Sequence, residues 1–277
     1  MSGLTLHPWN NAFAWRSPAP PFRALTDEQA AQFDDDGFVV IEGVFDAGEI
    51  ADITVEIDRF EAEADALLRQ RADGRMLIAE SGAITFSVHL AARSPRLAAF
   101  VRHPALLGLC ADLVGPDVNL YWDQAVYKKP EKPRRFPWHQ DNGYAYVDPQ
   151  QYLTCWIALT DATEENGCPQ VARGLHQQGT LRHSYVDPLG FECFSDPPDR
   201  VAAPVAAGGI VVFSSLTPHL TGPNTTGEVR KAYIVQYAPQ GARIRRGDAD
   251  AGPPTTEEAT DAPDRQFPVL RGGDPSR

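Results

Sequence analysis

From Val118 onward the chain changes character, and that change limits the fold more than any other feature. The segments VNLYWDQAVYKK, YLTCWIALTDA, GGIVVFSS and VRKAYIVQYAP are short, rich in β-branched and aromatic residues, and separated by turn-forming residues, which is the pattern of strands. Strand follows strand with no helical period between them. The part upstream reads differently. LTDEQAAQFDDDGF offers Thr26 as a helix cap with Gln29 three residues on, and Asp46 with Glu49 repeats that arrangement, so two capping boxes mark two helix starts. FVVIEGVF lies between them as a short strand. After Asp46, the apolar residues Ile50, Ile53, Ile57, Phe60, Ala64 and Leu67/Leu68 recur at helical spacing. Ser94-Pro95 and His103-Pro104 open two further helices, with proline at the first helical position. Helices first and strands afterwards predict an α+β chain whose second half is a sandwich or barrel with helices laid against it.

A chain of 277 residues can bury a substantial core in one domain. That domain is expected over residues 1–240, helical over about 24–116 and β-rich over about 117–240. The last stretch, 241–277, is rich in Gly, Pro and charge and is expected to be mobile or loosely draped. A formal net charge of −12 argues against a nucleic-acid partner, since phosphate binding needs clustered Lys and Arg. No run of about 18 apolar residues suggests a membrane span, and no signal sequence opens the chain, so a cytoplasmic protein is expected. Cys110, Cys155, Cys168 and Cys193 have neither zinc-knuckle nor redox spacing and are expected as reduced thiols.

The chemistry is concentrated in RRFPWHQDNGYAY, Arg134 to Tyr146. On a strand, His139 and Asp141 would point to the same face while Gln140 turns away. An imidazole beside a carboxylate suits a divalent metal, and a second histidine would complete the ligand set common in non-haem iron(II) sites. His7 and His103 each precede a proline, His89 ends a strand, and His183 lies in a polar loop; all four have local explanations. His176 is a second-rank candidate. His219, beyond a buried-looking strand in a separate element, is the preferred third ligand. Thr221 follows at i+2 and shares its face, and Arg230 returns past the turn GPNTTG. A guanidinium grips a carboxylate with two parallel hydrogen bonds, to which a hydroxyl adds a third. Metal beside carboxylate clamp is the pattern.

FPWHQD, YLTCWIALTDATEENGC, PHLTGPNTTGEVRKAYIVQY and the early DGFVVIEGVF together resemble the phytanoyl-CoA dioxygenase family of iron(II)- and 2-oxoglutarate-dependent oxygenases, over about Asp36 to Ala238. The resemblance implies a double-stranded β-helix, or cupin-like jelly roll, with N-terminal supporting helices. It implies His139, Asp141 and His219 as Fe(II) ligands, with Arg230 and Thr221 on the distal carboxylate of the cosubstrate 2-oxoglutarate. O2 would be the oxidant, and 2-oxoglutarate would leave as succinate and CO2 while an unactivated C–H bond of a small molecule is hydroxylated. Asp141 separates the chain from related halogenases, which resemble it except for a small residue there. Two departures from the family pattern, Arg173-Gly174-Leu175-His176 and Cys168-Pro169, fall outside the ligand set and bear on substrate.

Gln124, on the strand leading toward His139, is a further candidate for cosubstrate or substrate contact. Trp156, Tyr144, Tyr146 and Lys128 are candidate substrate contacts, and Lys128 and Lys129 beside the loop EKPRR would either attract an acidic substrate or form a solvated basic patch. No coenzyme A motif is legible, and a monomer or homodimer is expected. Two other classes compete: a non-redox metalloenzyme, which has no need for the Arg230 and Thr221 clamp, and a non-catalytic ligand-binding jelly roll, against which intact ligands at all three metal positions argue.

Overall fold

The structure, a computed structural model, describes residues 4–130, 136–197 and 199–276. Helix α1 (Asp27–Asp36) leads into β1 (Phe38–Ile41) and the long α2 (Ala47–Arg69). A small hairpin, β2 (Arg75–Met76) and β3 (Ala79–Glu80), turns into β4 (Ile84–Val88), followed by α3 (Pro95–Phe100) and α4 (Pro104–Leu113). Then come β5 (Val118–Lys128), β6 (Tyr146–Asp148), β7 (Leu153–Ala158), β8 (Pro169–Ala172) and β9 (Ser184–Val186). They are succeeded by β10 (Gly190–Glu192), β11 (Arg200–Ala202), β12 (Ile210–Ser214), β13 (His219–Thr221) and β14 (Arg230–Pro239). The last stretch adds β15 (Arg243–Arg246), β16 (Thr256–Ala259), β17 (Pro268–Arg271) and β18 (Asp274–Pro275).

Both expected capping boxes form. The Thr26 hydroxyl accepts from Gln29 N at 3.2 Å and the Gln29 amide oxygen from Thr26 N at 2.9 Å; Asp46 and Glu49 reciprocate likewise. Helix α2 buries Ile50, Ile53, Ile57, Phe60 and Leu68 as its period requires, but Leu67 is 65% exposed. Asp65 is buried in that last stretch instead, held by Arg69 at 2.8 Å and Lys129 at 3.2 Å. Helix α1 stops at Gly37, whose φ of 82° is the left-handed turn glycine takes most easily. A Cβ there would also stand 2.5 Å from the His176 ring.

The large antiparallel sheet runs β1-β12-β7-β14-β5-β4-β3-β2. Alternation along its strands splits the core in two. Leu153, Cys155 and Ile157 of β7, with Tyr233, Val235 and Tyr237 of β14, pack toward the helices. Trp156, Ala158, Ala232 and Ile234 point to the other face and meet Val171 of β8 with Cys168, Ala203 and Val205. The facing sheet is β11-β8-β13. Helices on one side and a second sheet on the other make this a jelly roll with helical support, as the resemblance implies.

Strands β1 and β4, expected at FVVIEGVF and just before His89, both belong to the large sheet, and one detail differs from expectation. The stretch 241–277 is not loosely draped: β15 pairs with β6, β17 pairs with β5, and Val269 and Leu270 are buried. β15, Arg243–Arg246, buries only Ile244 and β17, Pro268–Arg271, only Val269 and Leu270, too few apolar side chains to stand out from the polar composition around them. All four cysteines are free thiols, three of them buried. No helix among the described residues is long and apolar enough to cross a membrane.

Candidate metal centre

His139 and His219 face each other across an isolated antiparallel bridge. Their backbones exchange both hydrogen bonds, His139 N to His219 O at 3.0 Å and His219 N to His139 O at 2.8 Å. Directly paired residues project to one side of a sheet, and the ring centroids stand 4.4 Å apart. Asp141 does not lie on a strand. Its segment leaves the bridge and begins a 3₁₀ turn, Asp141–Gly143, which swings the carboxylate back toward the rings. One donor atom from each of the three residues falls within 4.8 Å of the others, and His219 Nε2 is 3.8 Å from Asp141 Oδ1.

The hydrogen bonds around these donors suit a metal. His139 Nδ1 meets Pro137 O at 3.1 Å and His219 Nδ1 meets Thr217 O at 3.0 Å, an arrangement that fixes the ring tautomer and leaves Nε2 as the ligand atom. Burial, reinforced by the neighbouring His219, pushes the His139 pKa well below the ordinary value, so the imidazole is neutral, as ligation demands. Thr154 Oγ1 donates to Asp141 Oδ2 at 2.6 Å and receives the Gln236 amide at 3.3 Å, which leaves Oδ1 for an ion. Two imidazoles offering Nε2 and one carboxylate oxygen fit ferrous iron.

Gln140 does turn away from the donors, as alternation predicts, but it does not idle. Its side chain is fully buried and donates to Gly179 O at 3.0 Å and Leu216 O at 2.6 Å while accepting from Leu181 N at 2.6 Å. His183 Nε2 accepts from Gln140 N at 2.9 Å, with Nδ1 at 2.8 Å from Leu181 O. Gln140 thus ties the turn carrying His139 and Asp141 to the segment leading into His219. The polar loop around His183 gave no sequence signal for this brace.

A cavity of about 520 Å³ opens from the three donors. Arg230 lines it and is buried, its guanidinium carbon 5.0 Å from the Trp156 ring centre. Thr221, Gln124, Trp156 and Tyr144 also line it, with Tyr144 standing edge-on to His139 at 5.2 Å. Register explains the convergence: Ile234 pairs with Trp156 and Gln236 with Thr154, and both lie on the face of β14 that carries Arg230.

Other candidates lie elsewhere. His176 is buried against Trp15 with Nε2 at 3.1 Å from Asp34 O, so it supports the α1 end and not the metal. Tyr146 donates its hydroxyl to Trp9 O at 3.0 Å and packs on His7, on the wall of a separate surface cleft. Lys128 is wholly buried; its ammonium donates to Thr221 O and Gly222 O and sits 3.4 Å from the Phe136 ring centre. It is an internal strut, not a substrate contact. Lys129 is paired with Glu61 and Asp65, and EKPRR, Glu131–Arg135, lies outside the described residues.

Residues 33–232 match the phytanoyl-CoA dioxygenase (PhyH) family. The chain is 26% identical over 239 residues to an ectoine dioxygenase of Bordetella parapertussis, across 77% of this chain and 75% of that one. Among solved structures, the epimerase SnoN in complex with Fe3+, alpha ketoglutarate and nogalamycin RO shares 25% identity at a TM-score of 0.65, covering 87% of this chain and 97% of its own. The non-heme alpha ketoglutarate dependent carbocyclase SnoK from nogalamycin biosynthesis superposes with a TM-score of 0.70 at 24% identity, over 90% of this chain and 100% of its own.

Proposed function

This chain belongs to the phytanoyl-CoA dioxygenase family, and from that premise we propose how its own residues divide the work of an iron(II)- and 2-oxoglutarate-dependent dioxygenase that hydroxylates a small organic molecule. Bound iron supplies the centre at which O2 is activated as 2-oxoglutarate is converted to succinate and CO2. His139, His219 and Asp141 Oδ1 hold that ion, and Thr154 keeps the second carboxylate oxygen occupied. Arg230 receives the distal carboxylate of 2-oxoglutarate in a bidentate grip, with the Thr221 hydroxyl beside it and the Trp156 ring under the guanidinium. Aromatic walls from Phe136, Trp156 and Phe213 keep water from the reacting atoms.

One observation carries this reading: a His-Asp-His donor set and a buried arginine open onto one cavity. A non-redox metalloenzyme would have no use for that arginine. Anaerobic addition of Fe(II) and 2-oxoglutarate to the apoprotein is expected to raise a weak visible charge-transfer band, and Arg230→Ala to weaken 2-oxoglutarate binding at least about tenfold, a loss of one carboxylate–guanidinium contact of about 1.4 kcal/mol or more. A band of unchanged strength and affinity in Arg230→Ala would refute the assignment.

A further inference from the structure

The described residues left over, once iron and 2-oxoglutarate have taken theirs, carry no formal charge. Among the described lining residues the only Asp, Glu, His, Lys or Arg side chains are His139, Asp141, His219 and Arg230. The two lysines that could have welcomed an anion are committed elsewhere: Lys128 caps backbone carbonyls inside the fold, and Lys129 is paired with Glu61 and Asp65. Facing the remaining space are Phe86 and Val126, register partners on β4 and β5, with Trp122 and the hairpin residues Met76 to Ala79.

The hairpin is unusual for a surface element. Met76 and Leu77 are 56% and 67% exposed, yet both line the cavity. Large apolar side chains held in water at a cavity mouth gain free energy only when something apolar covers them. One polar handle stands among them. Gln124 Oε1 accepts from Trp122 Nε1 at 3.2 Å, which settles the amide orientation and leaves its two N–H hydrogens to serve an acceptor.

Resting on the oxygenase reading above, we infer that the substrate is an uncharged molecule with a largely apolar body and a hydrogen-bond acceptor that meets Gln124. Its apolar body lies between the Phe86–Val126 wall and the hairpin. Among the described residues an anion or zwitterion entering this space finds no cation beyond Arg230, which the cosubstrate takes, and burying an unpaired charge is far costlier than burying a neutral body.

A matched pair of probes tests this on the full chain loaded anaerobically with Fe(II) and 2-oxoglutarate: neutral N-phenyl-1-naphthylamine and its close sulfonated analogue 8-anilinonaphthalene-1-sulfonate. Fluorescence titration is expected to give saturable binding of the neutral probe, about tenfold or more tighter than the sulfonate, with a shift of the charge-transfer band that places it in the cavity. Leu77→Asp is expected to weaken the neutral probe several-fold without lowering Tm, because the position is exposed and its φ of 55° is one that aspartate adopts more readily than leucine. Equal or tighter binding of the sulfonate, or neutral-probe affinity untouched by Leu77→Asp, overturns the inference while leaving the oxygenase reading in place. Absence of the band itself removes the oxygenase reading, and this inference with it.

Discussion

At the residue scale the centre depends on atoms next to the ligands as much as on the ligands. Thr154 Oγ1 lies 2.6 Å from Asp141 Oδ2, and a partner of that kind fixes which carboxylate oxygen is offered. Thr154→Val keeps the shape and deletes the donor, so Fe(II) affinity is expected to fall about 10- to 100-fold, the range found for outer hydrogen-bond partners of metal ligands; anaerobic titration of the apoprotein with Fe(II) measures it. Unchanged affinity would show that packing alone aims Asp141. The ligands were legible because His-x-Asp, His219, Thr221 and Arg230 keep a recognisable spacing. One continuous strand does not bring His139 and Asp141 together; a bridge followed by a 3₁₀ turn does. Gln140 and His183 were missed for a physical reason. Their partners are backbone atoms of Gly179, Leu181 and Leu216, and a backbone carbonyl leaves no mark in a sequence.

Among the elements, the helices and long strands declared themselves through caps and periodicity, whereas the last strands did not. Strand β4 covers β5 from Gln124 to Lys128, and β17 pairs with the same strand at Val118 and Asn119, where β4 does not reach. Phe267 O accepts from Leu120 N at 2.9 Å, and Val269 and Leu270 are buried beneath α4. A chain ending at residue 266 is therefore expected to lose about 3–6 kcal/mol of stability, from two apolar side chains at about 1.5–3 kcal/mol each. Urea unfolding of the shortened and full chains checks this, and a midpoint that does not move would return the stretch to the status of a loose appendage. Lys128 teaches the converse lesson. A lysine next to a basic loop looks solvated in sequence, but as the last residue of β5 it faces inward opposite Arg230 and finds the carbonyls of Thr221 and Gly222.

For the molecule as a whole, neutral histidines are built into the fold beyond the metal centre, and they set its response to acid. His176 is fully buried between Trp15 and Gly37, and burial lowers its pKa to about 4; His183 is lowered by burial to about 4 as well. Free in the unfolded chain, each takes a proton near pH 6.5. Between about pH 6.5 and 4 the unfolded state thus holds more protons than the folded one, so stability is complete above that window and declines as pH falls through it, by up to about 1.4 kcal/mol per pH unit for each histidine. Chemical denaturation at pH 7 and pH 5 is expected to show the loss, and His176→Phe to reduce its slope; an identical slope in the variant would exclude His176 as a source. The sequence by itself determined the fold class and pointed to the donor set His139, Asp141 and His219, because periodicity, caps and motif spacing are local properties of the chain. Only the tertiary structure decided that Lys128 and Tyr146 leave the cavity, that the final strands extend the sheets, and that the described residues beside the three donors are largely apolar. Those outcomes depend on which backbone atoms and which strand faces meet across long separations, and no local pattern encodes such meetings.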